Sequence, residues 1–325
     1  MTSLDILSEL KIFEKISEEI KRVAPYKLSV LINGEFGTGR EHIAKLIHRH
    51  SLRSPKKFIF VNCATLNETL LERDLFGYEK SAFSNAKATH EGQFELANGG
   101  TIFLDEIERL SPNLQFKIFR ALDEMEFERI GSNNPTTLDV RFVAGTSIDL
   151  KTEVQEGRFR PELYYRLNKL NLSIPPLREN KDDIPVLAKH FIKKHCSLNN
   201  KDIMDISKDC IDLLKKYHWP GNISELENII ERAIVMCNKK IITKEDLVLE
   251  LRDQKSYLTN HNKLINIDMI ENQQIPLPEI LDQIEELIIR RALERSGNVQ
   301  VRAAEMLGIT KSLLQYKLKK YHLTT

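Results

Sequence analysis

The stretch Gly34-Glu35-Phe36-Gly37-Thr38-Gly39-Arg40-Glu41 decides how this chain is read. It follows an apolar run, Leu28 to Ile32, that has the character of a buried strand. It precedes Ile43, Ala44, Leu46 and Ile47, spaced as the buried face of a helix. Strand, glycine-rich loop and helix are the context of a phosphate-binding loop. The glycines let backbone N–H groups turn inward toward a phosphate, and the helix N-terminus adds partial positive charge. One position departs from the motif: Arg40 stands where lysine is expected.

Such a loop needs a second half, an apolar strand ending in acids, and Thr101-Ile102-Phe103-Leu104-Asp105-Glu106 supplies it. In a nucleotide site Asp105 would hold Mg²⁺, directly or through water, and Glu106 would orient the attacking water. Taken singly, the loop could be a plain strand-to-helix turn and the acids a cap for a helix from Ile107. Together the two segments predict nucleotide binding.

Composition sets the frame. The 325 residues suffice for two or more domains, and 41% hydrophobic with 29% charged content is ordinary for a soluble globular protein. Lys+Arg 48 against Asp+Glu 47 gives the whole chain no general attraction to nucleic acid. From Glu285 onward, however, Arg290, Arg291, Arg295, Arg302, Lys311, Lys317, Lys319 and Lys320 stand against Glu285, Glu286, Glu294 and Glu305. A basic C-terminal module on a balanced body points to a localised nucleic-acid site. Cys63, Cys196, Cys210 and Cys237 form no C-x-x-C pair and read as reduced residues of a cytoplasmic protein. No signal peptide is expected near Met1, and no stretch is long and apolar enough to span a membrane.

Along the chain, Ile6, Leu10, Phe13, Ile16, Ile20 and Val23 predict an amphipathic helix from about Ile6 to Ala24. Helix and strand patterns then alternate through Val143, as in a parallel sheet with helices on both faces. Pro175-Pro176 breaks that alternation, and Ile184 to about Leu249 reads as all helix, with a turn signal at Trp219-Pro220-Gly221-Asn222. Arg252 to Gln274 is polar and reads as a linker. There is no internal repeat. The expected divisions are 1–178 for the α/β nucleotide-binding part, 179–250 for a helical lid, 251–276 for the linker and 277–325 for an all-α module.

That last module is well punctuated. Pro278 suits a first helical turn, and Ile280, Leu281, Ile284, Leu287, Ile288 and Leu293 form an apolar face before Gly297. Val299 to Leu307 is a short helix, Gly308 makes the turn, Thr310 caps, and Lys311 to Tyr321 is the final helix. The pattern is that of a helix-turn-helix. In that geometry Thr310, Lys311, Ser312, Gln315 and Tyr316 would meet bases or phosphates of double-stranded DNA, and Lys317, Lys319 and Lys320 the backbone. A three-helix protein-docking module with a solvated basic face is the plainer alternative.

Read together, these motifs resemble the bacterial sigma-54-dependent transcriptional activators, from about Ser29 to Leu323 outside the linker. Further segments carry the resemblance: Phe60-Val61-Asn62-Cys63-Ala64, Leu75-Phe76-Gly77-Tyr78-Glu79-Lys80, Gly99 to Ile107, Arg158 to Leu167, Pro175-Pro176-Leu177-Arg178 and Ala303 to Ile309. The resemblance implies an AAA+ P-loop parallel sheet, a helical lid and a Fis-type helix-turn-helix. It also implies ATP with Mg²⁺ as cofactors, assembly as a homo-oligomeric ring, typically hexameric, and contact with sigma-54 RNA polymerase holoenzyme. Arg160 and Arg166 match the fingers that reach a neighbour's site, and Asn62 matches the residue restraining Glu106. Ser81-Ala82-Phe83-Ser84-Asn85-Ala86 matches the sigma-contact loop, whose family pattern is Gly-Ala-Phe-Thr-Gly-Ala.

Departures from the family cluster at function. Both loop glycines are replaced, by Ser81 and Asn85; Arg40 replaces lysine; Ser147 replaces the first sensor's asparagine; and Ser224 replaces the second sensor's arginine. The expected outcome is an ATPase with weakened sensors. The alternative is an ATP-binding scaffold, hydrolysing weakly or not at all, that regulates transcription through DNA independently of sigma-54. A chaperone or replication factor is a third reading, against which the Fis-like tail speaks. No sensory domain is expected ahead of the AAA+ part, so a controlling signal would arrive through a partner protein or expression level.

Overall fold

The computed structural model describes residues 10–83, 86–199, 201–247, 282, 285, 286, 288–290, 292, 293, 296 and 299–321. Ile6, Ser84, Asn85, the linker 251–276 and the stretch from Pro278 to Leu281 lie outside them. The chain divides into two compact units, Met1–Leu251 and Arg252–Thr325.

The first unit is built on a five-stranded sheet in the order β2 (Phe58–Asn62), β3 (Thr101–Asp105), β6 (Arg141–Thr146), β1 (Val30–Asn33), β7 (Leu170–Ser173). Every pairing within it is parallel. The central strands β3 and β6 are buried along their whole lengths, as strands covered by helices on both faces must be. Two core clusters lie on opposite faces of the sheet. One gathers Val30, Ile32, Phe103, Val143 and Leu172 with helix α2 (Arg40–Arg49) and runs on into the helical lid. The other gathers Leu31, Ile102, Leu104, Phe142 and Ala144 with α5 (Pro112–Glu124) and α7 (Pro161–Leu167).

Helix α1 (Lys11–Val23) carries the predicted apolar face: Phe13, Ile16 and Ile20 are buried in the first cluster. Its C-terminal carbonyls are met by the buried guanidinium of Arg141 on β6, which donates to Ala24 O and, at 3.2 Å, to Val23 O. A cation is favoured at a helix C-terminus. Burial nevertheless pulls the Arg141 pKa down to about 10.

The lid comprises α8 (Ile184–Asn199), α9 (Lys208–Lys216) and α10 (Asn222–Met236). The all-helix expectation for this segment needs one correction. Asp205–Ile206 and Ile241–Ile242 form two short parallel strands, β8 and β9. Ile206 and Ile242 are buried at this joint, and two residues per strand are too few to leave a periodic signature. A second departure from pure parallel alternation is the antiparallel pair β4 (Glu126–Glu128) with β5 (Pro135–Thr137), inserted ahead of β6.

In the second unit, α11 (Gln300–Met306) and α12 (Lys311–Lys320) are joined through Gly308, whose φ of +63° suits a residue without a Cβ. Ala303, Ala304, Leu314 and Leu318 pack with Ile289 and Ala292 into one small core.

Candidate nucleotide site and helix-turn-helix

The strand order sets the site. Strands β1, β6 and β3 lie side by side, so their C-terminal ends bring the Gly34–Arg40 loop, Thr146 and Asp105 to one rim. Ligands of open parallel sheets bind at that rim. A cavity of about 400 Å³ opens there, lined by Gly37, Gly39, Arg40, Asn62, Asp105, Glu106 and, from the lid, His190, Lys194, Ser224 and Glu227. Sequence segments far apart in the chain thus converge on one cavity.

The loop backbone is specialised. Gly37 and Gly39 have φ of +76° and +96°. A Cβ on Gly37 would meet Gly221 O at 2.2 Å, because the lid packs directly on the loop. Ile223 N and Ser224 N, at the start of α10, both donate to Gly37 O, at 2.9 and 3.2 Å. Asn222 completes the join. It is fully buried, at φ +49°. Its Nδ2 donates to Phe36 O at 2.9 Å and Glu35 Oε2 at 3.2 Å, and its Oδ1 accepts from Leu177 N at 2.8 Å. Glu35 also accepts two bonds from Arg178, at 2.6 and 2.7 Å. Those hydrogen bonds, then the one from Asn222, hold the Glu35 carboxyl below its ordinary pKa against the opposing effect of burial.

Arg40 turns inward. Its Nε donates to Asp105 Oδ1 at 2.7 Å and Nη2 to Oδ2 at 3.2 Å, a two-pronged pair, while Nη1 donates to Gly34 O. Nη2 also lies 3.9 Å from Glu106 Oε1. Arg40 and Asp105 are 5% and 8% exposed, so the pair is desolvated. Glu106 sits at φ +55°, a left-handed conformation that a non-glycine residue adopts at a cost, and such costs gather at functional sites.

The remaining candidates are placed as follows. Asn62 lines the cavity, and its Oδ1 accepts from Ala64 N at 2.8 Å; among the described residues it makes no hydrogen bond to Glu106. Ser147 lies outside the cavity lining, and its N and Oγ both donate to Glu108 Oε1, at 3.1 and 2.7 Å. Thr38 is buried with its hydroxyl on Glu35 O, and Glu41 pairs with Lys45. Arg160, at the N-cap of α7, and Arg166, within it, lie away from this cavity. Arg160 donates to Pro112 O at 3.3 Å and lies over the Phe116 ring, while Arg166 donates to Leu122 O and faces Asp123 at 3.6 Å.

In the predicted contact loop, Ser81 takes φ +70° and its N donates to Ala86 O at 2.9 Å. Phe83 is half-buried, between the Tyr78 ring (centroids 4.9 Å apart) and the Arg73 guanidinium 3.7 Å above it. Ala82 packs against Gly131, where a Cβ would lie 2.7 Å away.

On α12, Thr310 Oγ1 accepts from Leu313 N as the expected cap. Thr310, Lys311, Ser312, Gln315, Tyr316 and Lys319 are exposed, and Gln315 reaches Gln300 at 3.4 Å. Lys317 and Lys320 are engaged by acids: they pair with Glu285 and, at 2.6 Å, with Asp282, Lys320 staying exposed, and Tyr321 bonds both acids.

Sequence reasoning passed over Asn222, Arg178, Glu108 and the lid residues His190, Lys194 and Glu227. Asn222 was visible only as part of a turn. Arg178 was visible only within a family segment, and Glu108, Lys194 and Glu227 carried no motif, since their side-chain hydrogen-bond partners lie 32 or more residues away in sequence.

Comparison with known proteins agrees with this geometry. The model of the sigma-54 interaction domain matches residues 6–173, the AAA+ ATPase lid domain 178–264, and the Fis family of bacterial regulatory proteins 280–321. The regulatory protein AtoC of Escherichia coli is 44% identical over 316 residues, which are 97% of this chain and 67% of that protein. The phenol regulator MopR of Acinetobacter guillouiae is 41% identical over 98% of this chain and 56% of its own length. The chain thus spans about two thirds or less of these relatives. A crystal structure of NtrX from Brucella abortus in complex with ADP superposes with a TM-score of 0.70 at 29% identity, covering 96% of this chain and 68% of that one. A P-loop rim, a lid seated on it and a separate helix-turn-helix are thus shared with named regulators, and this chain belongs to the family of sigma-54-dependent transcriptional activators, with an AAA+ nucleotide-binding body and a Fis-type DNA-binding module.

Proposed function

We propose that this chain regulates transcription by binding double-stranded DNA through α12 and ATP in the cavity between loop and lid. Its AAA+ body works as a homo-oligomeric ring on the sigma-54 holoenzyme. The observation that carries this reading is the convergence of Gly37, Gly39, Asn62, Asp105 and Glu106 on one cavity closed by the lid. Within it the loop backbone would cradle phosphates and Glu106 would orient the attacking water. Arg160 and Arg166, outside their own cavity, would act on a neighbour's. The loop around Phe83 would meet the sigma factor.

The metal expected at Asp105 does not fit. Its carboxylate has about four acceptor sites. Two bonds from Arg40 and one from Glu106 N at 3.0 Å already occupy it. This favours a second reading, an ATP-binding scaffold that turns over slowly.

Open-complex formation on a sigma-54 promoter, with purified chain, holoenzyme and ATP, separates the two readings. ATP-dependent opening supports the remodelling ring. DNA binding with no opening leaves the scaffold, and loss of both removes the proposal.

A further inference from the structure

We propose that Arg40 takes the place of the divalent cation, so that the cavity recognises a nucleoside triphosphate in its metal-free form. The inference rests on the reading of that cavity as the nucleotide site.

Arg40 is fixed where it lies. Its planar guanidinium presents a delocalised cation inside the fold. It is 5% exposed and neutralised by Asp105 on two prongs. Swinging out would strip a buried charge pair and leave Asp105 and Gly34 O without their donor, a costly change. On the other side of the carboxylate the sheet itself is in the way: a Cβ on Gly145 would lie 2.2 Å from Asp105 Oδ1. Mg²⁺ asks for near-octahedral ligands at about 2.0–2.1 Å and dehydrates reluctantly. With three of about four acceptor sites taken and Gly145 close on one side, little room for that shell remains beside Asp105, and a dication there would face a guanidinium.

The guanidinium can also serve a phosphate. Of its five N–H groups, three are engaged, by Asp105 twice and by Gly34 O. The other two, one on each terminal nitrogen, remain to donate to phosphate oxygens. A lysine at this position would reach phosphate as a point charge and leave the carboxylate to the metal. The sequence change and the geometry therefore describe one substitution, a fixed protein cation for an exchangeable one.

Isothermal titration of the full chain with ATP, in EDTA and in excess MgCl₂, tests this. The wild type is expected to bind ATP in EDTA at least as tightly as in MgCl₂, because Mg²⁺ only withdraws free ATP. Arg40→Lys is expected to bind more tightly with Mg²⁺, by about tenfold or more. Wild-type binding tightened about threefold or more by Mg²⁺ overturns the proposal while leaving the nucleotide site intact. Absence of ATP binding in both conditions overturns the proposal and the nucleotide site together. An Arg40→Lys protein that folds but gains no Mg²⁺ dependence overturns the role given to Arg40. Should that variant not fold, the wild-type pair of titrations decides alone.

Discussion

The nucleotide rim and the recognition helix treat their polar residues in opposite ways. At the rim the polar side chains are already engaged by the chain: in the cavity Arg40 by Asp105 and Asn62 by Ala64 N, and beside it Ser147 by Glu108 and Glu35 by Arg178 and Asn222. On α12, Lys311, Ser312, Tyr316 and Lys319 face solvent unpaired among the described residues, while Lys317 and Lys320 are held in ion pairs with Glu285 and Asp282. Both regions carry their family's signature. One presents its side chains to a partner, and the other turns them inward. A motif therefore reports where a site is, and the partners of each side chain report how the site is used.

The strongest test of the inward-turned rim is Asn222→Ala. It removes the amide that joins lid, loop and the segment after β7, leaves Leu177 N and Phe36 O without their bonds, and places alanine at φ +49°. A loss of about 2–4 kcal/mol is expected, read as a fall in the denaturation midpoint of the AAA+ body. A change within about 0.5 kcal/mol, the size of an ordinary surface substitution, would break the picture of a clamped rim.

The outward-facing helix is tested by unequal lysines. Lys311→Ala should weaken DNA binding about equally across sequences and lower the salt slope by about one, the mark of one lost phosphate contact. Lys320→Ala should lower it by less, because Asp282 already holds that charge. Equal losses would show that the ion pairs of Lys317 and Lys320 open on DNA, and would return both lysines to the backbone role their position first suggested.

The smallest effect concerns pH. Glu35 has its pKa lowered in the fold by the Arg178 and Asn222 bonds. A group lowered in this way stabilises fully above its unfolded value, here 4.5, and the contribution is lost as pH falls through the folded value. Both side chains are about two-fifths exposed, so solvent screening keeps the effect small. Hydrogen exchange at Ile223 and Ser224 should stay flat from neutral pH down to about that value and loosen below it once the intrinsic pH dependence of exchange is removed. Arg178→Met should abolish the acid step. An unchanged step in that variant would place its cause elsewhere.

Much of the fold could be read before any coordinates because its signals are local. Gly37 and Gly39 announce a backbone that L side chains avoid, the run from Thr101 to Asp105 announces a strand buried on both faces, and Gly308 with Thr310 announces a turn and a cap. What stayed hidden depends on contacts between distant segments. Arg40 looked like a bulkier lysine, and nothing within the loop foretold a partner 65 residues away. Ser147 looked like a shortened sensor, while its partner Glu108 belongs to the turn after Asp105. Asn222 looked like turn chemistry, and its left-handed backbone does make a turn, but its amide acts across 187 residues on Glu35. The strands β8 and β9 were missed for another reason: two residues cannot show a period.

The central claim is that the Arg40–Asp105 pair holds a real nucleotide site in a slow or metal-free state. Steady-state ATP hydrolysis by wild type and Arg40→Lys, across a protein concentration series with Glu106→Ala as the blank, tests it most directly. Wild-type turnover is expected near the blank and Arg40→Lys turnover at least about tenfold higher, equal to about 1.4 kcal/mol of barrier. The gain is also expected to rise faster than linearly with concentration as Arg160 and Arg166 meet neighbouring sites. Vigorous wild-type hydrolysis that Arg40→Lys leaves equal or reduces would contradict that claim.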